Sequence, residues 1–219
     1  MPPLTRAGLP VSPRRTQTRE RLMAAAMTVF AERGVIGASV EEICEAAGFT
    51  RGAFYSNFPD KDALVLALIE AGVAAQYAAA ERALAHLASA PAAVSPEELV
   101  EQTLSRFDAL IGQVAEGRSQ REGVLVHQEL MLHAARVPAL REPYAAFVTA
   151  CTDQLTGLIA DALAAAGLEF VLPFDEAIDL LTAAHDHVQL ASLFRDGPPA
   201  PTLRRMVRAI TRSARPFPS

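Results

Sequence analysis

Residues 39–61 read SVEEICEAAGFTRGAFYSNFPDK, and this stretch decides the fold. Ser39 followed by Glu42 has the spacing of a capping box, in which each side chain bonds the backbone of the other at a helix N-terminus. Gly48 is suited to end that helix, because glycine readily adopts the left-handed conformation of a helix C-terminus. Between them, four apolar residues share one helical stripe: Val40, Ile43, Cys44 and Ala47.

A second short helix is predicted directly after the glycine. Thr50 is suited to cap it, and two short helices joined by a tight glycine turn form a helix-turn-helix. Phe54 lies opposite Gly52 on this second helix and is expected to point into the core. The outer face then carries Arg51, Gly52, Tyr55 and Ser56. Arginine suits a guanine edge, and tyrosine hydroxyls and helix N-termini suit phosphates, so the face fits DNA. A small helical hairpin with a solvated face is the alternative.

From Thr18 to Leu68 the chain resembles, without gaps, the DNA-binding domain of the TetR (tetracycline-repressor) family of bacterial transcriptional regulators. The resemblance covers about a quarter of the chain. It implies an all-α fold of about nine helices, in which a three-helix helix-turn-helix domain precedes a larger helical ligand-binding and dimerisation domain. It rests on Thr18, Arg19, Glu20, Ala25, Ala26, Phe30, Gly34, Ser39, Ile43, Ala46, Ala47, Gly48, Thr50, Arg51, Gly52, Ala53, Phe54, Tyr55, Phe58, Lys61 and Leu64.

The composition agrees with a helical protein. The chain has 219 residues, enough for one or two domains, and is 51% hydrophobic with no tryptophan. Many alanines and few β-branched runs favour helices over sheets. The net charge is −5, but residues 1–58 carry +2 and the remainder −7, so the basic excess lies with the helix-turn-helix.

The domain boundaries follow from these signals. Residues 1–15, with four prolines and three arginines, are predicted to be a disordered basic arm, either idle or supplementing DNA contact. Residues 16–76 form the predicted DNA-binding domain, with the helix-turn-helix at 39–58. Residues 77–219 form the predicted effector-binding and dimerisation domain. Helices are expected at 16–33 and 61–89, after Ser95, at 120–136, 144–166 and 174–195, and near the C-terminus, with a connector at 167–173.

The DNA contacts are predicted partly from chemistry and partly from the resemblance. Arg51 is the expected base contact, and Gly52 removes a side chain where backbone must come close to DNA. The resemblance implies that Arg19 and Lys61 hold phosphates; Lys61 lies in a first helical turn, where acids are usual. The full expected set is Arg19, Ser39, Thr50, Arg51, Gly52, Ala53, Tyr55, Ser56 and Lys61.

Dimerisation is implied by the resemblance for the last two helices. The helix at 174–195 has small and large apolar residues recurring every seven positions, which permits close helix packing. The pattern alone fits a seam within one chain equally well. The expected dimer residues are Phe174, Ala177, Leu181, Ala184, Val188, Ala191, Leu203, Val207 and Ile210.

An effector pocket is also implied, without a motif that fixes its lining. Side chains that could line a helical cavity are Phe107, Met131, Phe147, Cys151 and His185, each with ordinary core packing as the alternative. Their mostly apolar character favours a hydrophobic or aromatic effector of unknown identity.

Catalysis, cofactors and metals are not predicted. No GxSxG, GxGxxG, P-loop or paired CxxC motif occurs, and His127 and His133 are six residues apart rather than the four that zinc ligation from one helix requires. Cys44 and Cys151 are expected to be buried free thiols. No signal peptide is visible, and charges such as Glu70 are expected to interrupt every membrane span. A cytoplasmic protein without membrane contact is predicted.

The sequence therefore predicts a ligand-responsive transcriptional regulator, most simply a repressor. It would bind an inverted-repeat operator in double-stranded DNA as a homodimer and be released by a small effector. One alternative is an effector-independent DNA-organising or partner-binding protein with the same DNA-binding domain. Another is a small-molecule-binding or enzymatic helical protein that carries a helix-turn-helix.

Overall fold

The computed structural model describes residues 13–88, 95, 98–99, 101–103, 105, 120–194 and 202–214. The all-α prediction is confirmed. The helices in these residues are α1 (Pro13–Gly37), α2 (Val40–Ala47), α3 (Arg51–Tyr55), α4 (Lys61–Ala88), α5 (Gln120–Arg136), α6 (Pro138–Ala166), α7 (Phe174–Ser192) and α8 (Thr202–Ile210). Glu98, Leu99, residues 101–103 and Ser105 are also helical. Two three-residue strands complete the described structure, β1 (Leu168–Phe170) and β2 (Thr211–Ser213).

Helix α1 begins earlier and ends differently from the prediction. It starts at Pro13, so residues 13–15 of the predicted disordered arm are helical, and proline suits this first position because its missing N–H is not needed there. The rest of the arm, residues 1–12, lies outside the described residues. Gly34 interrupts the helix as expected, with φ 70° and ψ 164°, and a short helical turn follows to Gly37.

The described residues fall into two compact units. The first comprises residues up to Ala71 together with Leu125–Ala145, and the second comprises Gly72–Val124 and Ala146 onward. The predicted boundary at residue 76 stays a prediction, but the first unit also contains most of α5, which the sequence prediction assigned to the second domain.

Each unit has its own apolar core. In the first, α1 packs on α2, and the largest fully buried side chains are Leu22, Phe30, Val35, Ile43, Phe54, Phe58, Leu64, Val65 and Val126. In the second, α7 packs on α8, and a cluster forms around Leu99, Ala162, Leu163 and Leu168, with Ile159, Phe174 and Val207 packed against it. The first core fixes the three helices of the helix-turn-helix domain.

Two local predictions after α5 were wrong. Pro138 and Pro143 were expected to mark a kink or loop before a helix at residue 144, but α6 begins at Pro138 and includes Pro143. Pro138 stands at the first helical position, where no N–H is needed, and Pro143 costs the helix one hydrogen bond, to the carbonyl of Ala139. Residues 168–170 were expected to be a connector, but they form β1, which pairs antiparallel with β2.

Three arginines near the C-terminus are paired with acids. Arg204 and Arg208 both contact Glu101, and Arg212 bonds Glu169 at 2.8 Å across the strand pair, where the two residues lie directly opposite. Opposite charges at such positions stabilise a pair of strands. These acids are 43 to 107 residues away in sequence, so spacing along α8 could not reveal them.

The prediction about free thiols is half confirmed. Cys44 is buried, and burial first of all raises the pKa of its thiol, which keeps it protonated. Cys151 is free too, but only half-buried.

Helix α4 contradicts the expectation that charges interrupt every apolar segment. By length and composition alone, its residues 61–85 could cross a membrane. Core helices of soluble proteins meet the same criterion, and 39% of the most apolar stretch of α4 is buried here.

Candidate nucleic-acid interface

Helix α2 begins with the predicted capping box, which the structure confirms. The Ser39 hydroxyl accepts the Glu42 backbone N–H at 3.2 Å, and the Glu42 carboxylate accepts the Ser39 backbone N–H at 2.9 Å. The Ser39 backbone N–H, and then its hydroxyl, hold the pKa of Glu42 below its usual value by donating to the carboxylate. The hydroxyl that was predicted to meet DNA therefore already donates to Glu42.

The turn between α2 and α3 also follows the sequence prediction. Gly48 has φ 68° and ψ 36°, and the next backbone N–H, of Phe49, donates to the carbonyl of Cys44 at 2.9 Å. These bonds satisfy carbonyls that the end of α2 would otherwise leave open. Thr50 then caps α3, because its side-chain oxygen accepts the Ala53 N–H at 3.2 Å.

Helix α3 has one buried side and one exposed side. Phe54 is fully buried, as predicted, and its ring lies 5.8 Å from that of Phe58, centroid to centroid. The opposite side is open to solvent and carries Thr50, Arg51, Gly52, Tyr55 and Ser56, while Ala53 and Ser39 are half-buried. The structure thus brings most of the predicted DNA contacts together on one surface, which we call the reading face: Thr50, Arg51, Gly52, Tyr55 and Ser56.

Arg51 is held by two neighbours on this surface. Its Nη1 lies 2.8 Å from Oε1 of Glu41, on α2, and its guanidinium carbon lies 5.8 Å from the centre of the Tyr55 ring. A hydrogen bond with Tyr55, and then the charge of Glu41, raise the pKa of the guanidinium. Arg51, charged like any arginine, is therefore oriented by Glu41 and Tyr55, yet its side chain is 62% exposed.

Three arginines of α1 donate hydrogen bonds to backbone carbonyls of the helix-turn-helix. Arg15 donates to the carbonyl of Ser56 at 2.9 Å, Arg19 to that of Asn57 at 3.1 Å, and Arg21 to that of Ala47 at 2.9 Å. These carbonyls lie at the end of α2 or just after the end of α3, where helices leave acceptors without intrahelical partners. The role of Arg15 and Arg21 was missed because the contacts span 41 and 26 residues.

Arg19 has a packed position rather than a fully exposed one. Its guanidinium carbon lies 4.2 Å from the centre of the Phe58 ring, and burial first of all lowers the pKa of the guanidinium. Its predicted phosphate contact stays a prediction, and the structure adds that the same side chain holds the turn after α3.

Lys61, the only lysine in the sequence, ties α4 to the end of α1. Its ammonium donates to the carbonyls of Val35 at 2.7 Å and Ala38 at 2.8 Å. An ammonium has three donors, so two bonds leave one for a phosphate oxygen. The lysine in a first helical turn therefore has a partner within the protein, and its phosphate contact stays a prediction.

Two residues of α5 join the same junction. The carboxylate of Glu129 accepts the Val35 N–H at 3.2 Å, and Nε2 of His133 lies 2.7 Å from Oδ1 of Asp62. These contacts and those of Lys61 lie where α1, α4 and α5 meet. We call the residues that make them the junction network: Val35, Ala38, Lys61, Asp62, Glu129 and His133. The i, i+4 spacing of Glu129 and His133 is visible in the sequence. Their partners, Val35 and Asp62, lie 94 and 71 residues away and could not be predicted from it.

The residues of the predicted effector pocket are divided between the units, and their role stays a prediction. Met131 lies in the first unit, Phe147, Cys151 and His185 lie in the second, and Phe107 is outside the described residues. An open cavity of about 470 Å³ within the second unit is lined by Ser95, Glu98, Glu101, Gln102 and Arg208. Within the described ranges, no three His, Cys, Asp or Glu side chains converge as possible metal ligands.

The predicted dimer residues divide into two groups. Ala177, Ala184 and Ile210 are buried within the single chain, and Phe174 and Val207 pack against its core. Burial of Ala177 and Ala184, seven residues apart, fits the alternative of a seam within one chain, and the dimer role of the half-buried Phe174 and Val207 stays a prediction. Leu181, Val188, Ala191 and Leu203 are half-buried, and their dimer role stays a prediction.

Two capped short helices, a left-handed glycine turn and a bracing first helix place the protein in the class of helix-turn-helix proteins. Comparison with known proteins narrows this class. The family model described as bacterial regulatory proteins, tetR family, matches residues 22–68, and that of the tetracyclin repressor-like C-terminal domain matches residues 95–213. The second match covers more than half of the chain. The chain belongs to the TetR family.

Individual relatives agree with this assignment. The HTH-type transcriptional repressor BepR of Brucella suis biovar 1 is 51% identical over 45 residues, which are 20% of this chain and 22% of BepR. The chain matches only 19% to 28% of the length of the first curated relatives.

Solved structures resemble nearly the whole chain. A TetR-family transcriptional regulator from Agrobacterium tumefaciens has a TM-score of 0.60 at 19% identity, covering 90% of this chain and 100% of that one, which shows the fold alone. The multidrug binding protein EbrR, complexed with imidazole, has a TM-score of 0.55 at 27% identity, covering 92% of this chain and 96% of that one.

Proposed function

We propose that the protein is a DNA-binding transcriptional regulator that reads duplex DNA with α3. The observation that carries the proposal is the reading face: its side chains are exposed, while buried Phe54 and the bonds from Arg15 and Arg19 to the end of α3 fix the helix. Arg51 would donate to a guanine edge in the major groove, and Thr50 and Tyr55 would contact phosphates. Family membership supports this function, and the proposed role involves no catalytic step.

The experiment that tests the proposal is selection of bound duplexes from a random library by the full-length protein. Enrichment of one motif, and binding to it in excess of a scrambled duplex at fixed salt, is the expected result. An inverted repeat with half-sites about 34–36 Å apart would support a dimer. If no motif is enriched, the DNA-reading function is wrong.

Gly52→Ala is expected to separate DNA binding from folding. A Cβ at this position would meet only the Thr50 side-chain oxygen, at an ordinary 3.7 Å, and alanine is the better helix former by about 0.5–1 kcal/mol. The melting temperature should therefore hold or rise. The affinity for the selected duplex should fall, because crowding a close contact costs roughly 1–3 kcal/mol, or about 5- to 150-fold.

The matched control for this variant is Gly72→Ala in α4, where an added Cβ meets nothing within 4 Å. It should gain helix stability in the same way and leave DNA affinity unchanged. Equal DNA affinities of the Gly52→Ala and wild-type proteins would show that the backbone of α3 does not approach DNA closely.

Lys61→Ala is expected to lower both the melting temperature and the affinity for any duplex. Loss of the bonds to Val35 and Ala38 leaves two carbonyls without their charged donor, which costs about 1–3 kcal/mol. Loss of a phosphate contact should also flatten the slope of log affinity against log salt by about one unit. Thermal melting and salt titrations with a scrambled duplex measure the two effects.

Arg82→Ala is the control for Lys61→Ala. Arg82 is an exposed cation on the same helix and donates to the carbonyl of Ala78 within α4 at 3.1 Å. Its loss should leave the salt slope unchanged. A Lys61→Ala protein that melts earlier but keeps the wild-type slope would confine Lys61 to the junction network and remove it from the DNA contacts.

We further propose that two copies associate through α7, on a face about a quarter turn from the predicted one. Leu180 and Leu190 on α7 are 41% and 48% exposed, and Phe194, two residues after the end of the helix, is 82% exposed. Leu180, His187 and Leu190 follow at i, i+7 and i+10, which places them on one side of α7. Exposed apolar side chains on one helix face suit an interface between two chains. The dimer would then present two copies of α3 to successive major grooves.

The proposed regulator is a repressor released by a small, hydrophobic effector and located in the cytoplasm. Support comes from the repressor name of BepR and from the multidrug binding protein EbrR. Within the first unit, the junction network joins α4 and α5 to the end of α1, next to the start of α2. A shift of either helix would therefore move the helix-turn-helix. A coupling of about 1–3 kcal/mol would change DNA affinity roughly 5- to 150-fold.

A further inference from the structure

The carboxylate of Glu41 occupies one side of the principal DNA-reading arginine. Its Oε1 lies 2.8 Å from Nη1 of Arg51, and the two side chains are 56% and 62% exposed. Glu41 stands in the first turn of α2, and Arg51 opens α3, so the pair joins the two helices on their outer side. Glu41 takes no part in the capping box, which uses Ser39 and Glu42.

We propose that Glu41 is a positioning residue that sets how strictly Arg51 discriminates between base pairs. The inference rests on the proposed DNA-binding function and deepens it. Glu41 would fix the direction of the guanidinium before DNA arrives and would weaken binding to duplexes that lack the correct base pair.

Orientation is the first part of the argument. A guanidinium has five N–H donors in a fixed plane, and a guanine edge uses two of them. Glu41 holds one end of the plane and Tyr55 lies beside it, so Arg51 has less side-chain freedom to lose on binding than an unrestrained arginine. The N–H groups that do not face Glu41 remain available to the base.

Charge is the second part of the argument. An exposed carboxylate beside the reading face repels phosphates of any sequence. At the correct site the N–H groups that face away from Glu41 donate two hydrogen bonds to guanine, and this gain offsets the repulsion. A wrong base pair offers no such gain, so Glu41 weakens binding there while the orientation that it gives Arg51 favours the correct site.

The test is Glu41→Gln in the full-length protein, which keeps the size of the side chain and removes its charge. The probes are the duplex selected by the wild-type protein, the same duplex changed at the base pair that Arg51→Ala ceases to distinguish, and a scrambled duplex. The variant should bind the scrambled duplex more tightly. Its preference for the selected duplex over the changed one should fall by up to about fivefold, the range of exposed ion pairs.

Glu45→Gln is the matched control, because Glu45 is exposed on the same helix one turn further on. It should tighten binding to all three duplexes alike and leave the preference unchanged. The inference is overturned if both variants alter the preference equally, or if Glu41→Gln leaves it unchanged. It is also overturned if Glu41→Gln still alters the preference in an Arg51→Ala background.

Failure of the proposed function is a separate outcome. A wild-type protein that enriches no motif has no preference for Glu41 to set, and that result is visible before any variant is made. Thermal melting of the Glu41→Gln protein, expected to match that of Glu45→Gln, checks that the altered preference is not a consequence of a loosened α2.

Discussion

Arg51→Ala is expected to abolish the preference of the protein at one or two base pairs of its selected duplex. Arg51 is the only arginine on the reading face within the described residues, and a bidentate contact with guanine contributes about 1–3 kcal/mol of discrimination. The affinity for the selected duplex should fall roughly 5- to 150-fold. Titrations with duplexes changed at each position in turn would locate the base pairs concerned.

The structure adds a second effect to this variant. Removal of Arg51 leaves the exposed carboxylate of Glu41 without its partner, and a free negative charge beside DNA repels phosphates. Binding to a scrambled duplex should therefore weaken as well, by less than binding to the selected one. Combining Arg51→Ala with Glu41→Gln should restore the affinity for the scrambled duplex. The preference for the selected base pairs should stay lost.

Arg33→Ala is the control. Arg33 is an arginine of similar exposure, at 60%, that pairs with the neighbouring acid Glu42 at 3.2 Å but lies near the end of α1. Its removal should leave the preference at every base pair intact. If the Arg51→Ala protein keeps the wild-type preference too, the face of α3 assigned here does not read DNA.

The sequence was sufficient for the helix-turn-helix because its signals act over short distances. The contacts between Ser39 and Glu42 and between Thr50 and Ala53 each span three residues, and the left-handed turn at Gly48 involves its immediate neighbours. Residue type and spacing therefore specify these caps without knowledge of the rest of the chain. The same logic identified Phe54 as the buried side of α3.

The supports of that motif could not be predicted, because they come from far along the chain. Arg15 reaches 41 residues to the turn after α3, and Glu129 reaches 94 residues to Val35. An arginine or a glutamate on a helix surface looks the same in sequence whether it is solvated or caps a distant helix. Lys61 shows the consequence: its unusual place in a first turn suggested an external phosphate, while the structure supplies two carbonyls.

Helix α7 shows a different limit. Its apolar residues recur every seven positions on more than one face, and periodicity alone does not say which face meets the core of the same chain. Ala177 and Ala184 are buried, whereas Leu180 and Leu190 on the same helix are exposed. Strands of three residues, such as β1 and β2, are likewise too short to show a period of two.

Gly34→Ala is expected to cause the largest loss of stability of any single substitution considered. At φ 70° and ψ 164°, Gly34 occupies a region that only glycine tolerates, and a side chain there costs about 1–3 kcal/mol. An added Cβ would also lie 3.0 Å from Oε2 of Glu129. That oxygen accepts the Val35 N–H, and losing the bond leaves a buried donor at a cost of about 1–3 kcal/mol.

The two costs together, about 2–6 kcal/mol, are a large share of the stability of a typical domain. The melting temperature should fall by roughly 4–24 °C, and hydrogen exchange should increase first at the junction of α1 and α2. Gly37→Ala is the control on the same helix. Its added Cβ would meet only Cβ of Arg33, at 3.8 Å, so that protein should melt at or slightly above the wild-type temperature.

A double-mutant cycle with Glu129→Ala would separate backbone strain from displacement of the carboxylate. Removing the carboxylate abolishes the clash but leaves Gly34→Ala in the same unfavourable backbone conformation. The double variant should therefore be more stable than the sum of the single losses predicts, because both single changes forfeit the same bond to Val35. Strict additivity would mean that strain at Gly34 accounts for its whole effect, and a Gly34→Ala protein that melts like Gly37→Ala would contradict both contributions.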